Sequence, residues 1–296
     1  MEKYVSIDIG GTAIKYGLID ETGKILCKDQ MKTEAEKGGP AILEKAVGIV
    51  ERFLKEEEKI AGICISTAGM VNTKKGEIFY AAPLIPNYTG TKFKETMETK
   101  FGVPCEVEND VNCAGLAEYV SGASRGSEAA VMLTIGTGIG GNLIINGKVF
   151  HGFSGSACEV GYMHMEGGDF QTLGAASILT KKAAVLKCQP EERWDGLRIF
   201  EEAKKGDAIC NRVIDEMVDV LGKGISNICY VVNPEVVVLG GGIMAQEEFL
   251  KEKIEKAVNK YLVSSIAEHT KIVFAQHRND AGMLGAFYHF YQCQEK

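Results

Sequence analysis

The sequence lacks the features that mark several protein classes. No apolar run approaches the length of a membrane span, which argues against a membrane protein. It has no arm clustered in lysine and arginine and a net charge of −7, which argues against a nucleic-acid surface. Nine cysteines are scattered without a C-x-x-C pair. An odd, unpatterned set points to reduced thiols and a cytoplasmic protein rather than a disulfide framework. No secretory leader is expected, because the first strand begins within a few residues of Met1. No linker or low-complexity segment divides the chain, and no G-x-x-x-x-G-K-[ST] loop occurs in it.

What remains is the composition of a globular protein able to bury a real core, with 45% hydrophobic and 25% charged residues in 296. That length suits one large domain or two ordinary ones. Strands are expected over Val5–Ile9, Ile14–Ile19, Lys24–Lys32, Ile60–Ser66 and Cys105–Val107. Helices are expected over Ala41–Glu57, Lys92–Lys100 and from Val111 to about Val120. A second hairpin is expected from Ala130–Ile135, a turn over Gly136–Gly141, and Asn142–Ile145. Beyond it lie helices around Ala175–Cys188 and over Asp207–Val232, a strand Val236–Leu239, a helix Gln246–Leu262, a strand Lys271–Ala275 and a closing helix Ala281–Gln292. The stretches Ile7–Asp20 and Thr134–Gly147 resemble each other, as two domains of one topology would. The expected boundary is near Ser121–Gly122.

The glycine turns carry the chemistry. Glycine lets backbone N–H groups converge on one point, where they hold phosphate oxygens. Gly10, Gly11 and Thr12 form one such turn, with Lys15 nearby, and Gly136, Thr137 and Gly138 form another. Either turn alone reads as a tight hairpin. Together with Gly240, Gly241 and Gly242, between a strand and a helix, they favour a nucleotide. Asp8 beside the first turn is read as a magnesium ligand acting through water, against the alternative of a hydrogen-bonded turn aspartate. Asp110 stands where a strand meets a helix. It is read as the general base of a phosphoryl transfer, against simple helix capping by Asn109–Asp110.

DIGGT with Lys15 after it, ENDVNCAGLAE over Glu108–Glu118, LTIGTGIGG over Leu133–Gly141 and GGGI over Gly240–Ile243 resemble the ROK family of sugar kinases and repressors, from near the first residue to the last. The resemblance implies an α/β, two-domain actin-like ATPase (ribonuclease H-like) fold with a central cleft that closes on its substrates. Residues 1–121 with a closing helix at about 281–296 would form the small domain, binding phosphate and sugar. Residues 122–280 would form the large domain, binding nucleotide and sugar. It further implies ATP and Mg2+ as cofactors, Asp110 as base, and Gly69, Asn109 and Glu159 at the sugar. A homodimer is implied, with no nucleic acid and no membrane as partner.

Departures from the family pattern narrow the reading. Tyr162 replaces the histidine of G-E-x-G-H and no cysteine cluster follows, so no structural zinc is expected. Gly174 stands where the family carries a glutamate near the anomeric carbon, which would make room for a glycoside. With the HRNDAGMLGAFYHFYQ ending, this resembles the bacterial β-glucoside kinases of the family, which phosphorylate the 6-hydroxyl of the non-reducing glucose in cellobiose-like sugars. Glucokinase and N-acetylmannosamine kinase are the alternatives. A sugar-binding regulator is the non-enzyme reading; no helix-turn-helix module is expected before the first strand, and Asp110 speaks against a catalytically dead protein. Asn87, Tyr88 and Tyr162 are candidates for reaching the sugar, with a turn or a buried aromatic as the plainer roles.

Overall fold

A computed structural model describes residues 1–82 and 84–294. The chain forms two compact units. The first comprises Met1–Ser121, His151–Ala157 and Asn279–Lys296, and the second Gly122–Phe150 and Cys158–Arg278.

In the first unit, strands β1 (Lys3–Ile9), β2 (Ala13–Asp20) and β3 (Ile25–Lys32) form a meander. Helix α1 (Gly38–Glu56), strand β4 (Gly62–Thr67), the hairpin β5 (Met70–Asn72) and β6 (Glu77–Tyr80), helix α2 (Phe93–Phe101), strand β7 (Cys105–Asn109) and helix α3 (Asp110–Ser121) follow. The sheet runs β3-β2-β1-β4-β7, with β1, β4 and β7 parallel and the meander antiparallel.

The second unit opens with the meander β8 (Ala129–Ile135), β9 (Ile139–Ile145) and β10 (Lys148–Val149). Next come the hairpin β11 (His164–Met165) and β12 (Gly168–Asp169), then helices α4 (Phe170–Gly174), α5 (Ala176–Leu186), α6 (Gly196–Lys204) and α7 (Ala208–Val232). Strand β13 (Val236–Gly240), helices α8 (Glu247–Tyr261) and α9 (Ser264–Ala267), and strand β14 (Lys271–Phe274) complete it. Helix α10 (Ala281–Gln294) belongs to the first unit. The second sheet, β10-β9-β8-β13-β14, repeats the first in strand order and direction. The likeness read between the two hairpins therefore extends to both whole sheets.

Strand alternation sets the two faces of the first sheet. Val5, Ile7 and Ile9 of β1, Ile63 and Ile65 of β4 and Val107 of β7 lie in one apolar core with Ile42, Ala46, Ile49, Val50 and Phe53 of α1. These α1 positions recur at helical spacing, so the helix gathers them on the one face that docks there. The other face carries Ser6, Asp8, Ser66, Glu106 and Glu108, four of them buried. Helices α3 and α10 cover it closely because they bring glycines. A Cβ on Gly285 would lie 1.8 Å from the Cys113 carbonyl oxygen, and Ser6 Oγ donates to the Met283 carbonyl at 2.7 Å. In the second unit, Val131, Leu133 and Ile135 of β8 and Val237 and Leu239 of β13 pack with Val213, Ile214, Met217, Leu221 and Ile225 of α7. Asp207 caps α7, accepting from the Cys210 N–H at 2.9 Å. Among the described residues no helix is long and apolar enough to cross a membrane.

The expected elements are present with ends moved by a few residues, except at three places. Ile139–Gly141, read as turn, pair with Leu133–Ile135 inside β9. The helix expected around Ala175–Cys188 is preceded by a separate one, α4. The segment His151–Ala157 packs in the first unit rather than with the chain on either side of it.

Candidate active site

Register builds the site. Lys15 of β2, Asp8 of β1, Ser66 of β4 and Glu108 of β7 are successive partners across the first sheet, so their side chains share its polar face. Ser66 Oγ donates to Asp8 Oδ1 at 2.8 Å, and Lys15 Nζ stands 3.7 Å from Oδ2. Burial pushes the Asp8 carboxyl up, against the lowering effect of Ser66 and Lys15. A Cβ on Gly282, in the first turn of α10, would lie 2.3 Å from the Asp8 carboxyl carbon. That helix approaches only because residue 282 has no side chain. Ser66 and Gly282 escape sequence reading, since neither touches Asp8 until the sheet and α10 assemble.

The next row along the strands carries Ile9, Thr67 and Asn109. Asn109 caps α3 through Oδ1, which accepts from the N–H groups of Val111 at 2.9 Å and Asn112 at 3.1 Å. Its Nδ2 donates to the Gly69 carbonyl and to Asp110 Oδ1, both at 3.0 Å. Gly69 adopts φ +94°, a left-handed conformation that glycine reaches without strain. Asp110 Oδ1 also accepts from the Val111 N–H at 2.9 Å, so one carboxylate oxygen is held by two donors. Burial, then the nearby Asp8 charge, raises the Asp110 carboxyl to about 6. Capping thus falls mainly to Asn109, which accepts from two helix N–H groups where Asp110 accepts from one. Asn87, in the left-handed region at φ +53°, serves a turn. Tyr88 is buried, with its hydroxyl bonded to Thr67 Oγ1 and its ring edge-on to Phe93.

The first glycine turn is braced by Thr33, just past the end of β3. Thr33 Oγ1 donates to the Gly10 carbonyl at 2.6 Å and the Thr33 N–H to the Thr12 carbonyl at 3.0 Å. Gly11 and Thr12 are exposed, and a Cβ on Gly11 would meet nothing within 4 Å. In the second unit, the start of α5 braces the turn Gly136–Thr137–Gly138. The Ala176 N–H donates to the Gly136 carbonyl and Ser177 Oγ to the Thr137 carbonyl, both at 2.9 Å. Gly241 has φ +100°, and a Cβ there would sit 2.2 Å from the Ile135 carbonyl oxygen. Gly240 ends β13 buried, while Gly241 and Gly242 are exposed.

Glu159 also lies in the second unit, exposed, just before a short 3-10 turn, with desolvation raising its carboxyl. Tyr162 is 50% exposed, so the buried-aromatic role is excluded. The room expected at Gly174 is absent: a Cβ there would lie 2.9 Å from Val220 Cγ1, inside the packing of α4 on α7. Among the described residues, one group of potential metal ligands comes together: Glu106, His289 and Cys293. Lys94 Nζ already pairs with that glutamate at 2.8 Å.

Three comparisons place this geometry among known proteins. The ROK family profile matches residues 4–292. A β-glucoside kinase of Listeria monocytogenes is 34% identical over 298 residues, covering 98% of each chain. Among solved structures, a ROK family protein from Streptococcus pneumoniae in complex with sucrose superposes with a TM-score of 0.86 at 30% identity, covering 99% of each chain. A ROK family glucokinase from Streptomyces griseus in complex with glucose and AMPPNP gives 0.84 at 26% identity, covering 98% of this chain and 99% of that one.

Proposed function

The chain belongs to the ROK family and has the actin-like ATPase fold; from that premise we propose that it is an ATP-dependent sugar kinase acting on the 6-hydroxyl of a glucosyl unit, in a β-glucoside such as cellobiose. The observation that carries the reading is Asp110, with Oδ1 pinned by two hydrogen bonds at the head of α3 and its carboxyl raised to about 6. A carboxylate with that pKa is ionised at neutral pH yet basic enough to accept a proton.

In the proposed reaction, Oδ2 of Asp110 takes the proton of the sugar hydroxyl as its oxygen attacks the γ-phosphorus of ATP. The bond from that phosphorus to the β,γ-bridging oxygen breaks, ADP leaves, and Asp110 returns its proton to solvent. Asn109 and Gly69 hold the sugar, as does Glu159. Both N–H bonds of Asn109 Nδ2 are already used, so a sugar contact exchanges one of them. The amides of Gly10, Gly11 and Thr12, with Lys15, and those of Gly136, Thr137 and Gly138 bind phosphate oxygens. Gly240, Gly241 and Gly242 accommodate the nucleoside. Asp8 fits Mg2+ held through water: its carboxylate is braced by Ser66, and Mg2+ takes few protein ligands. Held by Asp8, such an ion would supply positive charge against the transferring phosphoryl group.

A glucoside is favoured over free glucose by the named Listeria relative and by the sucrose held in the Streptococcus structure. Because Gly174 is packed, its lack of a side chain adds nothing to that choice. The glucokinase with AMPPNP supports ATP as donor and keeps glucokinase as the alternative. A cytoplasmic homodimer completes the proposal. ADP release coupled to a dye reaction, with cellobiose, glucose and N-acetylmannosamine side by side, tests it. Cellobiose is expected to give the highest kcat/KM. Glucose ahead would reassign the substrate, and no release with any sugar would leave a sugar-binding regulator.

A further inference from the structure

Glu108 is fully buried, immediately before Asn109 and Asp110. Its Oε1 accepts from the Asn109 N–H at 2.7 Å and from Asn112 Nδ2 at 3.0 Å. These two residues flank Asp110 in the first turn of α3. Its Oε2 accepts from His151 Nε2 at 2.6 Å and lies 3.6 Å from Nδ1 of His289 on α10. Burial alone would raise this carboxyl. The His151 hydrogen bond and the two histidine charges, with Asn112, outweigh it, and the net direction is down. Burial lowers the His289 imidazole; at 2.6 Å against 3.6 Å, His151 is the close partner.

His151 opens the segment His151–Ala157, which packs in the first unit although the chain before and after it belongs to the second. The Ala157 N–H donates to the His151 carbonyl at 3.2 Å and closes the segment on itself. Gly155 rests against Phe79 and the Val71 carbonyl, with a Cβ contact of 3.5 Å to each. The segment thus has its own seat, and the His151–Glu108 bond is a separate contact aimed at the strand end that carries Asp110.

We propose that His151 is a positioning residue for Asp110: it fixes the Glu108 carboxylate, and Glu108 fixes the turn from β7 into α3 through Asn109 and Asn112. The proposal rests on the reading of Asp110 as the base. Without His151, a fully buried carboxylate loses its shortest bond and shifts toward other donors, carrying the Asn109 N–H with it. Small displacements of a reacting group lower turnover by about tenfold or more.

The test is steady-state kinetics of His151→Ala and His151→Gln beside the parental enzyme and Asp110→Asn, with Tm for each. The Gln amide nitrogen reaches the place of Nε2. His151→Ala is expected to lower kcat about tenfold while the sugar KM moves less than about threefold, and His151→Gln to recover at least about half of parental kcat. A His151→Ala enzyme with lowered Tm but kcat within about twofold of parental overturns the proposal, because His151 then only anchors its loop. Should that variant fail to fold, Glu108→Gln decides: a kcat within about twofold of parental overturns the proposal, and a fall of about tenfold upholds it. No transfer by the parental protein, or near-parental transfer by Asp110→Asn, removes the base reading and this inference with it.

Discussion

Asp110→Asn changes one atom of the proposed base and little else. Oδ1 remains to accept from the Val111 N–H and from Asn109 Nδ2, so the turn into α3 keeps both bonds. What disappears is the basic oxygen. A general base contributes about 10²–10⁴-fold, equivalent to about 3–5 kcal/mol of barrier at roughly 1.4 kcal/mol per decade. The variant is predicted to lose that factor in kcat while still binding sugar measurably by calorimetry. The pH profile gives an independent reading. Burial and the Asp8 charge raise the carboxyl from the ordinary 3.8 to about 6. The active, ionised form is therefore lost as pH falls through about 6. At pH 5 about one molecule in eleven keeps it, so parental kcat/KM should fall about tenfold below its plateau, with unit slope. Turnover by Asp110→Asn close to parental, or a parental profile flat down to pH 5, would refute the reasoning.

Three further perturbations probe the surroundings. Asp8→Asn removes a charge that raises the Asp110 carboxyl, so the acid limb of the remaining kcat/KM profile should move to lower pH; an unmoved midpoint would uncouple the two acids. Gly282→Ala places a methyl 2.3 Å from the Asp8 carboxyl carbon. It should cost about 1–3 kcal/mol in denaturant unfolding and lower turnover, and unchanged stability would contradict the packing of α10 on β1. Gly241→Ala combines φ +100° with a 2.2 Å approach to the Ile135 carbonyl. It should raise the KM for ATP while leaving the sugar KM within about twofold, and the opposite pattern would move the nucleoside elsewhere.

Much of the first sheet was legible because its strands alternate and its turns are marked by glycine. Asp8 stood out as an acid beside such a mark, and Asp110 as an acid where a strand meets a helix. Lys15 and Asn109 were found beside them, but other partners were not. Ser66 reaches Asp8 only through the parallel register of β1 and β4, and Gly282 only through the return of α10, nearly the whole chain later. Glu108 read as part of a motif, yet its burial and its His151 contact depend on a loop that leaves its sequence neighbours. Ile139–Gly141 were misread because glycine signals a turn locally, whereas pairing with β8 settles the strand. Gly174 was misread because a missing side chain looks like space; Val220 fills it. The strands of the hairpin β5–β6, three and four residues long, are too short for alternation to show, whereas α6 has a clear apolar face of Ile199, Phe200 and Ala203 that was overlooked.

The most direct test of the account is a crystal structure with cellobiose and a non-hydrolysable ATP analogue bound together. The account predicts Asp110 Oδ2 within hydrogen-bond reach, about 2.6–3.2 Å, of the non-reducing 6-hydroxyl, with the γ-phosphate facing that oxygen. A sugar with no hydroxyl near Asp110, or a triphosphate held away from the Gly10–Thr12 turn, would contradict it.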